Sequence, residues 1–589
     1  MILDKVNYPK DLKNLTIDEM VALSGEMREL IIRKVNTTGG HMGPNLGIIE
    51  ATIALHYVFN CPQDKIIFDV SHQCYPHKIL TGRKEGFLNP ELYHKYTGYT
   101  APEESEYDLF KIGHTSTSVS LATGVAKARD LKGLSYNVIA LIGDGSLSGG
   151  EALEGLDNAS TLGSNIIIVI NDNDMSIAEN HGGLYDNLKL LRETKGKAEC
   201  NFFKSLGFKY AYVENGNSIN DLIETFKEVK DTNCPTIIHI HTQKGKGLAV
   251  AEENREAFHW IMPGTLDKTE NNTPAGYESY EQLTKDFILK KVEQNEPICV
   301  VNAGTPGVFG FNKEYRESLG KHYTDVGIAE EHAVAYSSAI AKQGGKSIFC
   351  VMSSFVQRTY DQMSQDLCLN NSPLTMLVYW GGLSGADATH LCSFDIPLIS
   401  NIPNIVYLAP TNKEEYLRML EYAYNQNEHP VAIRVPNCGL ISSGIQDNTD
   451  YSNLNKFKTV YKGSKVGILG LGNFFNLAQE VKEELKQKLG IDSTLINPIY
   501  MTGIDNELLE DLKQDHDLII TLEDGILDGG FGEKISRFYG NSSVKVLNYG
   551  GIKEFTDRVP IDELYNRYHL TPELICKDAC EVLDIITCK

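Results

Sequence analysis

Two polar residues follow two apolar runs of the chain, and their types suit a divalent cation. Asp144 follows residues 138–142, and Asn173 lies just beyond residues 166–170. Carboxylate and carboxamide oxygens suit Mg²⁺, a hard cation that keeps coordination places for phosphate oxygens. Taken alone, the Gly-Asp-Gly sequence at 143–145 is better interpreted as a turn. The second polar residue, at the end of a neighbouring run, makes a metal site that holds a diphosphate the stronger hypothesis.

The elements that would position this pair are two strands and the helix between them. Residues 138–142 and 166–170 are rich in the branched apolar side chains of buried parallel strands. Residues 149–160 between them hold several helix formers and are long enough to cross back over the sheet. A strand–helix–strand unit binds ligands at the carboxyl ends of its strands. We therefore expect the two polar residues to lie side by side.

The rest of the chain continues to alternate strand and helix patterns. Thr16 and Glu19 have the spacing of a capping box, which predicts a helix to about Lys34. Further expected elements are a helix near 280–293 and strands at 298–301, 466–469 and 518–521. We expect an α/β fold of three consecutive domains at 1–270, 278–440 and 456–589, with linkers at 263–277 and 442–455.

Composition limits the class of protein. The 589 residues are 42% hydrophobic and 23% charged, typical of a globular chain of about three domains. The net charge of −23 argues against a general nucleic-acid binder. The amino end lacks a secretory signal, and no aliphatic stretch approaches the ~20 residues that span a bilayer. Twelve cysteines without a Cys-x-x-Cys pair favour reduced thiols and a cytoplasmic location.

Other residues with chemical potential are ambiguous alone. Glu330 opens a predicted helix, where a surface carboxylate near the helix dipole is the simpler interpretation. His72, Cys74 and His77 suggest zinc, but a fourth ligand and regular spacing are missing. The histidines at 239 and 241 alternate on a predicted strand. Without further context we interpret these histidines as structural.

Together these features resemble the thiamine diphosphate enzymes of the transketolase type, most closely the 1-deoxy-D-xylulose-5-phosphate synthase family. The resemblance covers essentially the whole chain. Its most specific blocks are residues 68–78, 105–108, 113–118, 171–176 and 325–334. The blocks at 72–78 and 105–108 are closer to this family than to transketolases or pyruvate dehydrogenases.

The resemblance implies roles for residues around a thiamine diphosphate and a Mg²⁺ ion. Asp144, Asn173 and the carbonyl of Met175 would bind the metal, and Glu330 would hydrogen-bond the aminopyrimidine ring of the cofactor. His41 and His72 would move protons near the reactive carbon. The remaining cofactor-binding positions are Gly113, His114, Thr115, Gly145, Ser146 and Leu248.

The family's reaction is the decarboxylative condensation of pyruvate with D-glyceraldehyde 3-phosphate to 1-deoxy-D-xylulose 5-phosphate, in isoprenoid, thiamine and pyridoxal biosynthesis. The resemblance implies that Arg358 and Arg434 bind the acceptor phosphate. It also implies that Asp387 and His390 contact the acceptor hydroxyls, with His390 among the catalytic groups. A homodimer and an active site between the first two domains are implied as well.

The chain departs from the family pattern at four places. Met352 stands where the family has Tyr, and Leu248 replaces an aromatic residue at the cofactor. Residues 435–438 differ from the usual Tyr-Pro-Arg-Gly, and the loop at 387–390 is one residue shorter. Three of these changes cluster at the acceptor site, so a carboligase with a different aldehyde acceptor is an alternative. A catalytically silent binding protein is a weaker one, because the cofactor residues are intact.

Overall fold

The computed structural model describes residues 1–267 and 278–583, which form two compact units. Unit 1 takes in residues 1–267 together with Gly327–Ala329, and unit 2 takes in residues 278–326 and 330–583. Most of the predicted linker at 263–277 lies outside the described residues. The predicted boundary between 270 and 278 lies there too, so the division into three domains stays a prediction.

Unit 1 has seven strands and twelve α-helices within its described residues. The strands are β1 (Gly40–His41), β2 (Lys65–Phe68), β3 (Val138–Gly143), β4 (Ile166–Asp172), β5 (Lys209–Val213), β6 (Pro235–His241) and β7 (Trp260–Ile261). The helices are α1 (Pro9–Leu12), α2 (Ile17–Thr38), α3 (Gly43–Gly47), α4 (Ile49–Val58), α5 (Tyr75–Lys78), α6 (Glu85–Leu88), α7 (Ser118–Leu131), α8 (Gly150–Ser160), α9 (Gly183–Glu193), α10 (Phe202–Ser205), α11 (Ile219–Val229) and α12 (Ala249–Glu253).

The main sheet of unit 1 is parallel, with strand order β2-β3-β4-β6-β5. Successive residues of a strand point to opposite faces. Ile139 and Leu141 of β3 join one apolar cluster, while Ala140 and Ile142 join another. Both faces of the sheet are therefore covered, which explains why its central strands are apolar along their whole length.

The predictions for this part of the chain are confirmed. Strands β3 and β4 and the crossover helix α8 lie within one or two residues of the predicted ranges. The N-cap of α2 is the predicted capping box: the Glu19 amide donates to Thr16 Oγ1 at 3.2 Å, and the Thr16 amide donates to Glu19 Oε2 at 3.0 Å. The helix ends four residues later than predicted, at Thr38.

Unit 2 has eleven strands and eleven α-helices within its described residues. The strands are β8 (Ile298–Asn302), β9 (Tyr323–Asp325), β10 (Lys346–Met352), β11 (Thr375–Tyr379), β12 (Val406–Leu408), β13 (Val431–Arg434), β14 (Lys458–Tyr461), β15 (Lys465–Gly470), β16 (Thr494–Asn497), β17 (His516–Ile526) and β18 (Lys545–Gly551). The helices are α13 (Tyr280–Glu293), α14 (Lys313–Leu319), α15 (Glu330–Lys342), α16 (Tyr360–Gln362), α17 (Asp395–Ser400), α18 (Lys413–Asn425), α19 (Phe475–Leu489), α20 (Asn506–Leu512), α21 (Phe531–Tyr539), α22 (Ile561–Arg567) and α23 (Pro572–Val582).

These strands form two sheets. The first is parallel throughout, with order β12-β13-β11-β10-β8-β9. The second has order β14-β16-β15-β17-β18, and only its edge strand β14 runs antiparallel. The strands predicted at 298–301, 466–469 and 518–521 are β8, β15 and β17, and the predicted α/β fold class is confirmed.

One apolar core serves both sheets of unit 2. Phe349 and Val378 of the first sheet belong to the same buried cluster as Leu469 and Ile519 of the second, together with Phe531 of α21. Residues 442–455, predicted as a linker, form neither helix nor strand. The shared core explains why the two sheets form a single compact unit.

Ten cysteines in the described residues carry free thiols, as expected from the sequence. Cys580 is an exception because it is disulfide-bonded.

Candidate functional site

The predicted pair of polar residues lies at the carboxyl ends of two adjacent parallel strands. In the register of β3 and β4, Gly143 is paired with Asn171, and the Asp144 amide donates to the Asn171 carbonyl at 3.1 Å. Asp144 therefore leaves β3 at the level where β4 is about to end. The prediction that the two strands end side by side is confirmed.

Asp144 is a buried carboxylate held by two donors. The residue is only 2% exposed. Its Oδ2 accepts hydrogen bonds from the Met175 amide at 2.9 Å and from Asn180 Nδ2 at 2.8 Å. Burial and the nearby charge of Asp172 raise the pKa of Asp144 to about 7. A cation bound at this carboxylate would oppose both effects, because it favours the ionised form.

The neighbouring groups fit a hard cation. Asn173 Oδ1 is buried and has no hydrogen-bond partner in the described chain, so it is available as a ligand. A Cβ added at Gly145 would lie 2.7 Å from Ser176 Oγ, so this turn needs glycine to approach the loop at 173–176. The described residues contain no cluster of three or more His, Cys, Asp or Glu suited to a metal. The ligands that fit a Mg²⁺ ion here are therefore a carboxylate, a carboxamide and a carbonyl oxygen.

The zinc interpretation of the segment after β2 is excluded by the partners of His77. One ring nitrogen of His77 bonds to His56 Nε2 at 2.8 Å, and the other bonds to Asp108 Oδ1 at 2.8 Å. Arg83 makes two hydrogen bonds to the same Asp108 carboxylate, at 2.6 and 2.9 Å. His77 therefore belongs to a buried structural network.

The loop at 113–116 is held against the same end of the sheet. Asp69, fully buried, accepts from the Ser116 amide at 2.8 Å and the Ser118 amide at 2.9 Å. The Ser116 hydroxyl donates to the Ser146 carbonyl at 2.8 Å. This contact brings the predicted cofactor residues at 113–115 and 145–146 into one place, at the start of α7.

Three histidines form a cluster in unit 1, and the sequence predicts only two of them. The ring centroids of His41 and His72 lie 4.9 Å apart, and His259 lies 5.6 Å from the first and 5.4 Å from the second. The antiparallel pairing of β1 with β7 sets His41 opposite Trp260, which explains how His259 arrives there. Burial, reinforced by the charge of Lys244, holds the pKa of His259 well below its usual value.

Lys244 is a second residue that the sequence interpretation missed. It is 2% exposed, and its ammonium donates to the Ser176 carbonyl at 2.6 Å in the loop that carries Asn173. Burial lowers its pKa to about 7. A single lysine in a loop has no periodic signal, and only the fold reveals that this one faces the strand ends. Leu248 is partly buried against the core of unit 1.

In unit 2, Glu330 is the first residue of α15 and carries an unsatisfied oxygen. The residue is 3% exposed, and Oε2 has no hydrogen-bond partner within the described chain. Burial raises its pKa to about 7, although the positive charge of Arg358 opposes the shift. The group can accept a hydrogen bond when ionised and donate one when neutral. A surface carboxylate, the simpler interpretation, is excluded.

The predicted acceptor residues Asp387 and His390 flank one short turn. Asp387 Oδ1 accepts from the Thr389 amide at 3.2 Å, and the Thr389 hydroxyl lies 2.9 Å from His390 Nδ1. Burial lowers the pKa of His390, although the Asp387 charge opposes this. The turn therefore presents an imidazole and a carboxylate together. Met352 is buried at the end of β10.

Arg434 already has two carboxylate partners. Its Nε and Nη2 donate to the Asp395 carboxylate at 2.7 and 3.1 Å, and its Nη1 donates to Asp524. The residue is 4% exposed. Four of its five N–H donors are thus used within the protein, which the sequence did not indicate. Its predicted contact with a substrate phosphate stays a prediction.

The fold and these residues define a protein of the transketolase type. A family model for the transketolase pyrimidine-binding domain matches residues 282–439, and one for the transketolase C-terminal domain matches residues 455–575. Solved transketolases are distant: the Campylobacter jejuni enzyme is 16% identical with a TM-score of 0.44, over 96% of this chain and 100% of its own.

The remaining part of the chain identifies the family within that class. The 1-deoxy-D-xylulose-5-phosphate synthase family model matches residues 3–201 and 192–242. The synthase of Clostridium botulinum is 37% identical over 97% of this chain and 98% of its own length, and that of Clostridium beijerinckii is 37% identical over 99% and 100%. The chain therefore belongs to the 1-deoxy-D-xylulose-5-phosphate synthase family and is a transketolase-type transferase, which confirms the resemblance. Among the helices of the described residues, none is long and apolar enough to cross a membrane.

Proposed function

We propose that the protein condenses pyruvate with D-glyceraldehyde 3-phosphate, with loss of carbon dioxide, to give 1-deoxy-D-xylulose 5-phosphate. Family membership supports the reaction. The observation that carries it at residue level is that two buried oxygens, Asn173 Oδ1 and Glu330 Oε2, have no hydrogen-bond partner in the part of the chain that the structure describes. Buried polar atoms are rarely left without a partner, so both indicate ligands. The product serves isoprenoid, thiamine and pyridoxal biosynthesis.

Thiamine diphosphate, when bound, supplies the electron sink that decarboxylation of pyruvate requires. We assign the Mg²⁺ that holds its diphosphate to Asp144, Asn173 and the carbonyl of Met175. The residues proposed to line the diphosphate and thiazolium are His72, Gly113, His114, Thr115, Gly145, Ser146 and Leu248. Lys244 adds a positive charge beside the same loop, which would offset the phosphate charge.

The protein's own groups would handle the protons. Glu330 would accept and return a proton at the pyrimidine ring, for which a pKa near neutrality is well matched. His41 and His72 can exchange protons with the substrate carbonyl and hydroxyl oxygens, and His259, which burial keeps neutral, packs against both rings. Arg358, Asp387, His390 and Arg434 are the proposed acceptor contacts.

Calorimetry with thiamine diphosphate, with and without Mg²⁺, tests the cofactor proposal. We expect saturable binding that requires the metal, and its absence in purified protein would refute the proposal. A steady-state assay with pyruvate and D-glyceraldehyde 3-phosphate then tests the reaction. Detection of 1-deoxy-D-xylulose 5-phosphate with release of one carbon dioxide is the expected result.

The second candidate function is condensation with a different aldehyde acceptor. The ion pairs that Arg434 makes within the protein favour it. Both of its carboxylate partners lie within the protein, so the guanidinium cannot bind a phosphate through two N–H groups unless it gives up one of these partners. Asn437 near it bonds to Asn473 at 2.8 Å. A panel of phosphorylated and unphosphorylated aldehydes at equal concentration separates the candidates, since a strong preference for D-glyceraldehyde 3-phosphate excludes the second.

Two further parts of the proposal come from the family alone. We propose a homodimer, and light scattering that gives the mass of one 65.5 kDa chain would contradict it. We also propose a cytoplasmic location, which cell fractionation with an antibody would test.

A further inference from the structure

Asn45 makes three hydrogen bonds that join the segments carrying His41 and His72. Its Nδ2 donates to the His41 carbonyl at 2.8 Å and to the His72 carbonyl at 2.8 Å. Its Oδ1 accepts from the Tyr75 amide at 2.9 Å. The two histidines are 31 residues apart in sequence, yet a single carboxamide lies between their backbones.

The orientation of this carboxamide is fixed by its surroundings. The two backbone carbonyls can only accept, so they require the amino group of Asn45. The Tyr75 amide can only donate, so it requires the oxygen. Asn45 is fully buried in α3, and no flipped arrangement would satisfy the same three partners. An isosteric aspartate would place an oxygen against two carbonyl oxygens.

The chain before His72 needs such support. Val70 has φ of 56° and Ser71 has φ of 64°, so two consecutive residues with a Cβ occupy the left-handed region. Such a conformation, unusual above all for a β-branched residue, persists when the surrounding structure over-determines it. The Ser71 hydroxyl donates to the Ile112 carbonyl at 2.6 Å and accepts from the Thr100 amide at 2.9 Å. Asn45 fixes the same turn from its other side.

The two imidazoles held in this way are in contact with each other. Their centroids lie 4.9 Å apart with the ring planes at 71°, so a small shift of either backbone changes their separation. Reacting groups lose as much as about a hundredfold in rate when they are displaced by about 1 Å. The position of the His72 ring therefore depends on a residue that lies on the other histidine's segment.

We propose that Asn45 is a positioning residue that holds His41 and His72 at a fixed separation for proton transfer during turnover. The proposal rests on the proposed function for its kinetic part only. It requires that loss of Asn45 slows turnover while binding of the cofactor is largely preserved, because every proposed cofactor contact except His72 lies on a segment that Asn45 does not hold.

Asn45→Ala is the test variant, and Asn137→Ala is its matched control. Asn137 is also buried, and its Nδ2 donates to Asp64 and Asp231 at 3.2 and 2.9 Å, at the amino end of β3 and thus at the opposite end of the sheet. Both variants remove a buried carboxamide with two acceptors. Asn45→Ser, which keeps one hydroxyl donor, replaces the test variant if alanine does not fold.

The first measurement is independent of activity. In the full-length protein with ¹³C-labelled histidine, the Cε1–Hε1 resonances of His41 and His72, assigned by single His→Gln variants, are compared between variants. We expect both resonances to move in Asn45→Ala and to stay in place in Asn137→Ala. Unmoved resonances in the test variant overturn the proposal, whatever the protein's substrate proves to be.

The second measurement uses the protein with thiamine diphosphate and Mg²⁺. For Asn45→Ala we expect kcat to fall about 30- to 100-fold, with the cofactor Kd and the rate of deuterium exchange at the thiazolium carbon within threefold of wild type. In a His72→Ala background the same substitution should lower kcat less than threefold, because the positioned group is gone. An equal loss in both backgrounds overturns the proposal. A wild-type protein that binds no cofactor refutes the proposed function, and the resonances then decide the positioning role alone.

Discussion

The Glu330→Gln substitution removes a buried charge and should stabilise the cofactor-free protein in a pH-dependent way. Glu330 is 3% exposed, and Oε2 has no partner in the described residues. Its pKa of about 7, against an ordinary 4.5, differs by about 2.5 pKa units. At about 1.4 kcal/mol per pKa unit this corresponds to about 3.5 kcal/mol in favour of the neutral form.

The sign follows from comparing the folded and unfolded chains. Below pH 4.5 the carboxyl is neutral in both, so the wild type carries no penalty. Between pH 4.5 and 7 the unfolded chain ionises first, so wild-type stability falls as pH rises. Above pH 7 the full penalty is present. Glutamine is neutral throughout, so the advantage of the variant should grow from pH 4.5 to 7 and reach about 3.5 kcal/mol above pH 7.

Two assays check this expectation. Infrared difference spectra of wild type minus Glu330→Gln should show a protonated carboxyl band that disappears with a midpoint near pH 7. Thermal unfolding without cofactor should give a higher midpoint for the variant at pH 8 than for wild type, and a smaller difference at pH 5. Glu331→Gln is the control, because it makes the same change at the next residue, which is half-buried. The protonated carboxyl band of Glu330 should remain in the spectrum of that variant. A band that titrates near pH 4.5 would refute the reasoning.

The other predictions concern the proposed metal site of unit 1 and the ion pairs of Arg434 in unit 2. Asp144→Asn should weaken Mg²⁺-dependent binding of thiamine diphosphate at least about tenfold in calorimetry, and unchanged affinity would exclude it as a ligand. Asn173→Ala should weaken the same binding while leaving the thermal midpoint in place, because Oδ1 has no partner to lose among residues 1–267 and 278–583; a lower midpoint would indicate a structural role. Gly145→Ala should also weaken cofactor binding, since its Cβ would meet Ser176 Oγ at 2.7 Å, and a cofactor Kd equal to wild type would contradict that close approach. Arg434→Met should destabilise the protein by about 3–5 kcal/mol, because it leaves two buried carboxylates unpaired; denaturant unfolding with an unchanged midpoint would show that the pairs contribute nothing.

Local patterns were sufficient to predict the strands, the crossover helix and the adjacent carboxyl ends of β3 and β4. Residues 138–142 and 166–170 are apolar without interruption, and such runs bounded by turns have few alternatives. Thr16 and Glu19 pair within one helical turn, so four consecutive residues are enough to identify the capping box. Because both strands could be located from these runs, the end of β3 that carries Asp144 could be placed beside the end of β4, as the structure shows.

The missed residues act through contacts between segments that are distant in sequence. His259 reaches His41 only because β7 pairs with β1, and both strands are two residues long. Lys244 and Asn45 are single polar residues whose partners lie on other loops, so no periodic pattern marks them. The carboxylates around Arg434 lie 39 residues before it and 90 after it. Sequence spacing carries no information on such buried networks.

The core shared by the two sheets of unit 2 also constrains how this gene can recombine. Phe349 and Leu469 lie in one apolar cluster, and Arg434 bonds to Asp524 across the same division of the chain. A crossover with a diverged homologue between residues 440 and 457 would join two segments from different parents. Their core side chains and ion-pair partners would no longer match in volume and charge. Viable chimaeras should therefore inherit residues 278–583 from one parent, and a fragment that ends near residue 440 should expose apolar surface and aggregate.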